Sequence, residues 1–270
     1  GNHHCIDHSA GFERAAAPLR GLTYLRRNQM GWVLIVRSEI SSAVWRPVVV
    51  GLAVALGWGV RGTFGGPTGA ILPGVLLGAF VSWASGRDDW HERAPWMMAA
   101  GGFGFWYAGG MSYGLLSGYM QSGSWPSVVY GTFAFVLVAG LWGLIGAGCV
   151  GLVLEENLKL WHLPLFFVAT KVVGAGFHYL LTDFLALHLS PPRSDEWANV
   201  LGMAVAFCVL GKVWGYHTAY RLALFGFVGY GLGFALGGMY QELAKPFELQ
   251  IDHWKVAEEC VGFFGGGMVA

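Results

Sequence analysis

The stretch 126–154, PSVVYGTFAFVLVAGLWGLIGAGCVGLVL, contains no charged side chain. About 20 residues of this kind cross the hydrocarbon core of a bilayer as a helix. Comparable apolar runs fall near 45–60, 67–84, 95–118, 163–183, 197–213, 220–240 and 254–270. Together they predict an all-α, polytopic transmembrane helical bundle of about eight spans. The connectors are compact, among them 85–94 (SGRDDWHERA), 155–162 (EENLKLWH) and 190–196 (SPPRSDE). None has room for a soluble domain, so 45–270 reads as one multi-pass domain, cut short at its C-terminus inside the apolar stretch 261–270. Residues 1–44 form a basic N-terminal segment. Its first 29 residues lack periodicity, and Met30 is an alternative start that would leave them outside the native fold.

Composition agrees with this reading. Of 270 residues 43 are glycine, about twice ordinary usage, and charged residues make up 12%, about half the usual share. The hydrophobic fraction is 55% and the mean hydropathy +0.51, too apolar for a soluble surface or a disordered chain. The glycines follow no period of three, which excludes collagen. The balance of 16 basic and 16 acidic residues offers no footprint for nucleic acid. Cys5, Cys149, Cys208 and Cys260 are isolated, so neither a disulfide framework nor a metal site is legible, and no cofactor is expected.

Pro95, Pro126 and Pro164 stand at run starts, where a missing N–H costs nothing. Tryptophans 90, 96, 125, 161, 197 and 254 cluster at run ends as an interfacial belt. Lys and Arg fall mostly in the segments that are internal if the N-terminus is cytoplasmic, including Arg46, Arg87, Arg93, Lys159, Lys212 and Arg221. Arg61, Arg193, Lys245 and Lys255 lie outside. Glycines and alanines repeat every four residues at 62, 66, 70, 74 and 78, at 143, 147 and 151, and at 229, 233 and 237. Such rows let helix backbones approach closely in a membrane. The stretches 101–111 and 229–239 share a first glycine and a terminal Gly-Gly-Met, which suggests an internal duplication.

The densest signal is 57–70, GWGVRGTFGGPTGA. Its G-x-G-x-x-G match lacks the strand and downstream acid of a dinucleotide fold. A broken helix near 61–67 fits better. Gly62, Gly65 and Gly66 interrupt the helix, Pro67 restarts it, and Thr68 lies in the new first turn. Free backbone N–H groups beside the Arg61 guanidinium would then bind an anion at membrane depth. The alternative is Arg61 snorkelling to the headgroups. A second polar stripe holds Lys171, Gly174, Ala175, His178 and Thr182 on the fifth run, with His178 suited to proton relay. A third places Lys255, Glu258 and Glu259 at the opening of the last run, where Lys255 pairs with the carboxylates. Glu155 and Glu156 are expected at the inner interface in water, and Asp183 opposite Arg193.

The stretches 57–70, 191–202 (PPRSDEWANVLG) and 253–266 (HWKVAEECVGFFGG) resemble those of an uncharacterised family of polytopic bacterial membrane proteins with a GWGxRG-type motif. The resemblance implies a multi-pass protein of the bacterial inner membrane and supplies no catalytic residues.

The expected function is that of a secondary transporter-like protein rather than an enzyme. Arg61, Gly62, Gly65, Gly66 and Thr68 bind a small anion or anionic head group, and Lys171, His178, Glu258 and Glu259 provide coupling charges. Two alternatives stay open. One is an intramembrane enzyme acting on a lipid-linked substrate, and the other is a subunit that docks on a second copy or on membrane-complex partners through its glycine faces.

Overall fold

The structure, a computed structural model, describes residues 29–111, 114–189, 196–247 and 250–270. The expectations for 1–28, and for Arg193 in the 190–195 connector, lie outside the described residues. The chain divides into Gly1–Val44 and Trp45–Ala270, and every contact described below lies in the second unit. The helices are α1 (Gln29–Phe64), whose first part belongs to the first unit, α2 (Gly66–Gly69), α3 (Ile71–Ser85), α4 (Asp88–Glu92), α5 (Ala94–Tyr107), α6 (Gly114–Met120) and α7 (Trp125–Val153). After them come α8 (His162–His178), α9 (Glu196–Val213), α10 (His217–Ala244) and α11 (His253–Val269). A π-helical turn, Tyr179–Phe184, prolongs α8.

Six stretches are long and apolar enough to cross a membrane: Ala43–Phe64, Gly66–Ser85, Trp125–Val153, His162–Phe184, Glu196–Val213 and His217–Phe247. The runs at 95–118 and 254–270 form shorter helices, of 14 residues in α5 and 17 in α11. The first of these stops where the chain turns at Ala108 through Gly109 and Gly110. By contrast 229–239 is continuous helix inside α10, so the two stretches that suggested a duplication have different conformations. The outer surface of the long helices is apolar: Leu56, Phe133, Val172 and Val209 are each more than half exposed. These are the marks of an integral membrane protein.

Helix α7 is the centre of the bundle and is the most enclosed of the candidate spans. It meets α10 along its small residues, with Gly143 against the Gly226 carbonyl and Gly151 against Ala219. Phe135 stacks on Phe234 at 4.1 Å between ring centroids. The row Gly229, Gly233, Gly237 on α10 receives α11 at Gly265, Val261 and Ala257. In turn α11 lies along α1, with Gly262 against Ala55 and Gly266 against Val54. Gly74 and Gly78 of α3 meet the α5 backbone at Gly101 and Met97. Each approach brings main chains closer than a Cβ would allow, which replaces the missing hydrophobic drive between helices in lipid by contact area.

Several polar side chains close the end of the bundle where α3 and α7 finish. Arg46 Nη1 donates to the Ala84 carbonyl at 3.0 Å, and Arg93 Nη1 donates to the Val153 carbonyl at 3.1 Å. Cations at helix C-termini meet the carbonyls that the helix leaves unpaired. Glu155 is not simply solvated as its position suggested: its Oε1 accepts the Ala219 N–H at 2.8 Å and caps α10.

Candidate functional site: a buried ion pair between α1 and α11

Arg61 lies in the last turn of α1, and Glu258 lies in the second turn of α11. The antiparallel contact of these helices brings the two side chains together, and Arg61 Nε donates to Glu258 Oε1 at 3.2 Å. Both residues are buried, at 8% and 3% exposure. The guanidinium carbon is 5.2 Å from the Trp58 ring centroid and 5.3 Å from that of Trp142, so the charge is framed by two aromatic faces. Trp58 comes from one turn earlier on α1. Trp142 is fixed on α7 by donating its Nε1–H to the Phe105 carbonyl at 2.6 Å.

Behind this frame sits Tyr230 of α10, fully buried, its ring centroid 6.1 Å from that of Trp58. The Tyr230 hydroxyl and Trp58 Nε1 are neighbours but close no well-formed hydrogen bond among the described residues. Buried donors left in this state cost free energy until something accepts from them. The site thus assembles a guanidinium, a carboxylate and two unspent donors within one aromatic enclosure.

The sequence placed the discontinuity at Gly62, Gly65 and Gly66, and the structure corrects this. Helix α1 continues through Gly62 to Phe64, and the chain reverses at Gly65 (φ 64°) and Gly66 (φ 38°), conformations that a residue with a Cβ rarely adopts. The result is a turn between two antiparallel helices, with Gly69 packed on the Arg61 carbonyl and Gly57 on Pro73. Gly62 borders the site, because a Cβ there would stand 3.8 Å from Glu258 Oε2. Gly65, Gly66 and Thr68 are exposed in the turn. Glu259 is exposed and lies beside Gly59. The expected pairing of Lys255 with its own helix is replaced by the Arg61–Glu258 pair, and Lys255 is exposed.

Lys171 and His178 belong to a different place. With Ala175, Asp183, Glu196 and Asn199 they line a cleft of about 340 Å³ between α8 and α9. The expected single stripe is split, because Gly174 and Thr182 are buried and the Thr182 hydroxyl donates to the His178 carbonyl at 2.6 Å. Sequence reasoning also missed a cluster at the start of α8. There His162 Nδ1 hydrogen-bonds the Tyr216 hydroxyl at 2.6 Å, and its ring stacks on Trp214 at 3.8 Å. The only sequence signal for it was the proximity of Trp161 and Trp214 to run ends.

Compared with models of protein families, with curated proteins and with solved structures, the chain matches none.

Proposed function

We propose that this integral membrane protein is a secondary transporter-like carrier in which a small anion and Glu258 compete for Arg61. The carrying observation is the buried ion pair of Arg61 and Glu258 between α1 and α11. Ionisable groups held inside a membrane domain are costly and are characteristic of substrate and proton paths. When a proton binds Glu258, its carboxylate becomes neutral and releases the guanidinium, which then takes an oxyanion through its paired N–H donors. Proton and monovalent anion enter together, so the enclosure stays neutral. Trp58 Nε1 and the Tyr230 hydroxyl supply further donors. In this reading α5 and α11 complete about eight crossings. The cations Arg46, Arg87, Arg93 and Lys159 mark the cytoplasmic side of a bacterial inner membrane.

The reading is tested by thermal shift of the purified protein in detergent against formate, acetate, phosphate and sulfate at acidic and neutral pH. Stabilisation by one of these anions should strengthen as pH falls and vanish in Arg61→Ala. Glu258→Gln, which mimics the protonated acid, should bind the same anion at neutral pH. Absence of any Arg61-dependent shift at either pH would make the pair a structural clasp.

A further inference from the structure

One face of α8 changes chemistry halfway along its length. Leu163, Phe166, Phe167 and Thr170 line a cavity of about 450 Å³, completed by α5, α7 and Phe207 of α9, and its walls are almost entirely hydrocarbon. The very next residue, Lys171, opens the 340 Å³ polar cleft. Tyr107 stands at the junction: it lines the apolar cavity, its hydroxyl meets Thr170 Oγ1 at 2.9 Å, and Lys171 Nζ lies 4.2 Å from its ring centroid.

The charges of the cleft form no ion pair with one another among the described residues. Among the described residues Lys171 Nζ has no ion pair or hydrogen bond and rests only on the Tyr107 ring. His178 Nδ1 is buried without a partner. Among the described residues Asp183 accepts one long contact, from the Thr182 hydroxyl at 3.5 Å, and Glu196 is bonded to the Asn199 amide. Lys171 falls inside the apolar stretch His162–Phe184, where an ammonium requires a counter-charge or water. A hydrocarbon slot, then a cation with an imidazole, then two carboxylates, is an ordered pattern. It is complementary to a molecule carrying an acyl tail, an anionic group and an amine in that sequence.

We infer that α5, α7, α8 and α9 hold one zwitterionic, amine-bearing phospholipid. One of its two acyl chains fills the 450 Å³ cavity while the other stays on the outer surface, its phosphate meets Lys171 and His178, and its amine faces Asp183 and Glu196. Both volumes lie within the range of specific small-molecule sites. This site shares no residue with the Arg61–Glu258 pair, so either assignment can fail without the other.

Native mass spectrometry of the full chain in detergent tests the inference, with phosphatidylethanolamine, phosphatidylglycerol and diacylglycerol offered at equal concentration. The wild type should retain one phosphatidylethanolamine, about tenfold or more in preference to diacylglycerol, the gain expected of hydrogen bonds to charged groups. Lys171→Met should remove that preference and Lys171→Arg should keep it. Asp183→Asn with Glu196→Gln should erase the preference over phosphatidylglycerol. Ala100→Phe, which fills the apolar cavity, should weaken both phospholipids. Equal retention of diacylglycerol, or full retention in Lys171→Met, would reduce the site to ordinary annular lipid and overturn the inference. Stronger retention of phosphatidylglycerol by the wild type would overturn the zwitterionic assignment.

Discussion

Arg61 and Glu258 stand 197 positions apart in the chain, yet they form a buried ion pair between the last turn of one helix and the second turn of another. Removing one partner strands a charge in a medium that solvates it poorly. Arg61→Ala and Glu258→Ala should therefore each cost ~3–5 kcal/mol. The double variant should be more stable than either single one, because no orphan charge is left. Denaturant or thermal melts of the four proteins in one detergent would measure the coupling. Additive losses would show that the two groups do not interact.

The close helix approaches make an internal comparison available. A Cβ at Gly143 would run into Tyr230 and the Gly226 carbonyl, whereas one at Gly176 meets nothing within 4 Å. Gly143→Ala should destabilise by ~1–3 kcal/mol through overpacking. Gly176→Ala should be neutral or stabilise by ~0.5–1 kcal/mol, since alanine is the better helix former. Melting temperatures of the two variants settle the contrast.

Glu155 caps α10 from a distant part of the chain by accepting the Ala219 N–H. Glu155→Ala should cost ~1 kcal/mol, the ordinary loss of a helix cap. Glu155→Gln retains an acceptor and forfeits only the charge at the helix N-terminus, so it should cost less. Hydrogen exchange localised to the first turn of α10 would register the difference.

In the connector after α3, Arg87 donates to both oxygens of Asp89, at 3.0 and 2.8 Å, and holds that carboxyl below its usual range. A carboxylate depressed in the folded state contributes stability above its unfolded pKa and loses it as pH falls through the folded value. Both groups are exposed, so water and salt screen the pair. Asp89→Asn should lower the melting temperature only slightly at neutral pH and low salt, and the difference from wild type should vanish as pH falls below the ordinary carboxylate range. A series of melts from neutral to acidic pH would test this.

Much of the helical architecture was legible because it is written in local patterns. The uncharged run 126–154 corresponds to α7 within a residue at each end, and the glycine row 229, 233, 237 is the groove that α11 fills. The turn after α1 was misplaced because Gly62, Gly65 and Gly66 look alike in sequence. Only the last two take up left-handed backbone, while Gly62 completes the helix. The site was half legible. Arg61 and Glu258 each stood out as a charge entering an apolar run, but their pairing depends on the contact of helices at opposite ends of the chain. The nearer Lys255 was the natural partner by spacing alone. Trp142 and Tyr230 carried no signal, since a buried aromatic in a membrane run looks the same whether it frames a cation or fills space.

The central claim is that one proton on Glu258 enters together with one anion on Arg61. Uptake into proteoliposomes, using the anion that gives the Arg61-dependent thermal shift, tests it most directly. In the wild type, an imposed pH gradient should drive accumulation. In Glu258→Gln, the anion should still exchange across the membrane while the gradient no longer concentrates it. Gradient-driven accumulation that persists in Glu258→Gln would contradict the account.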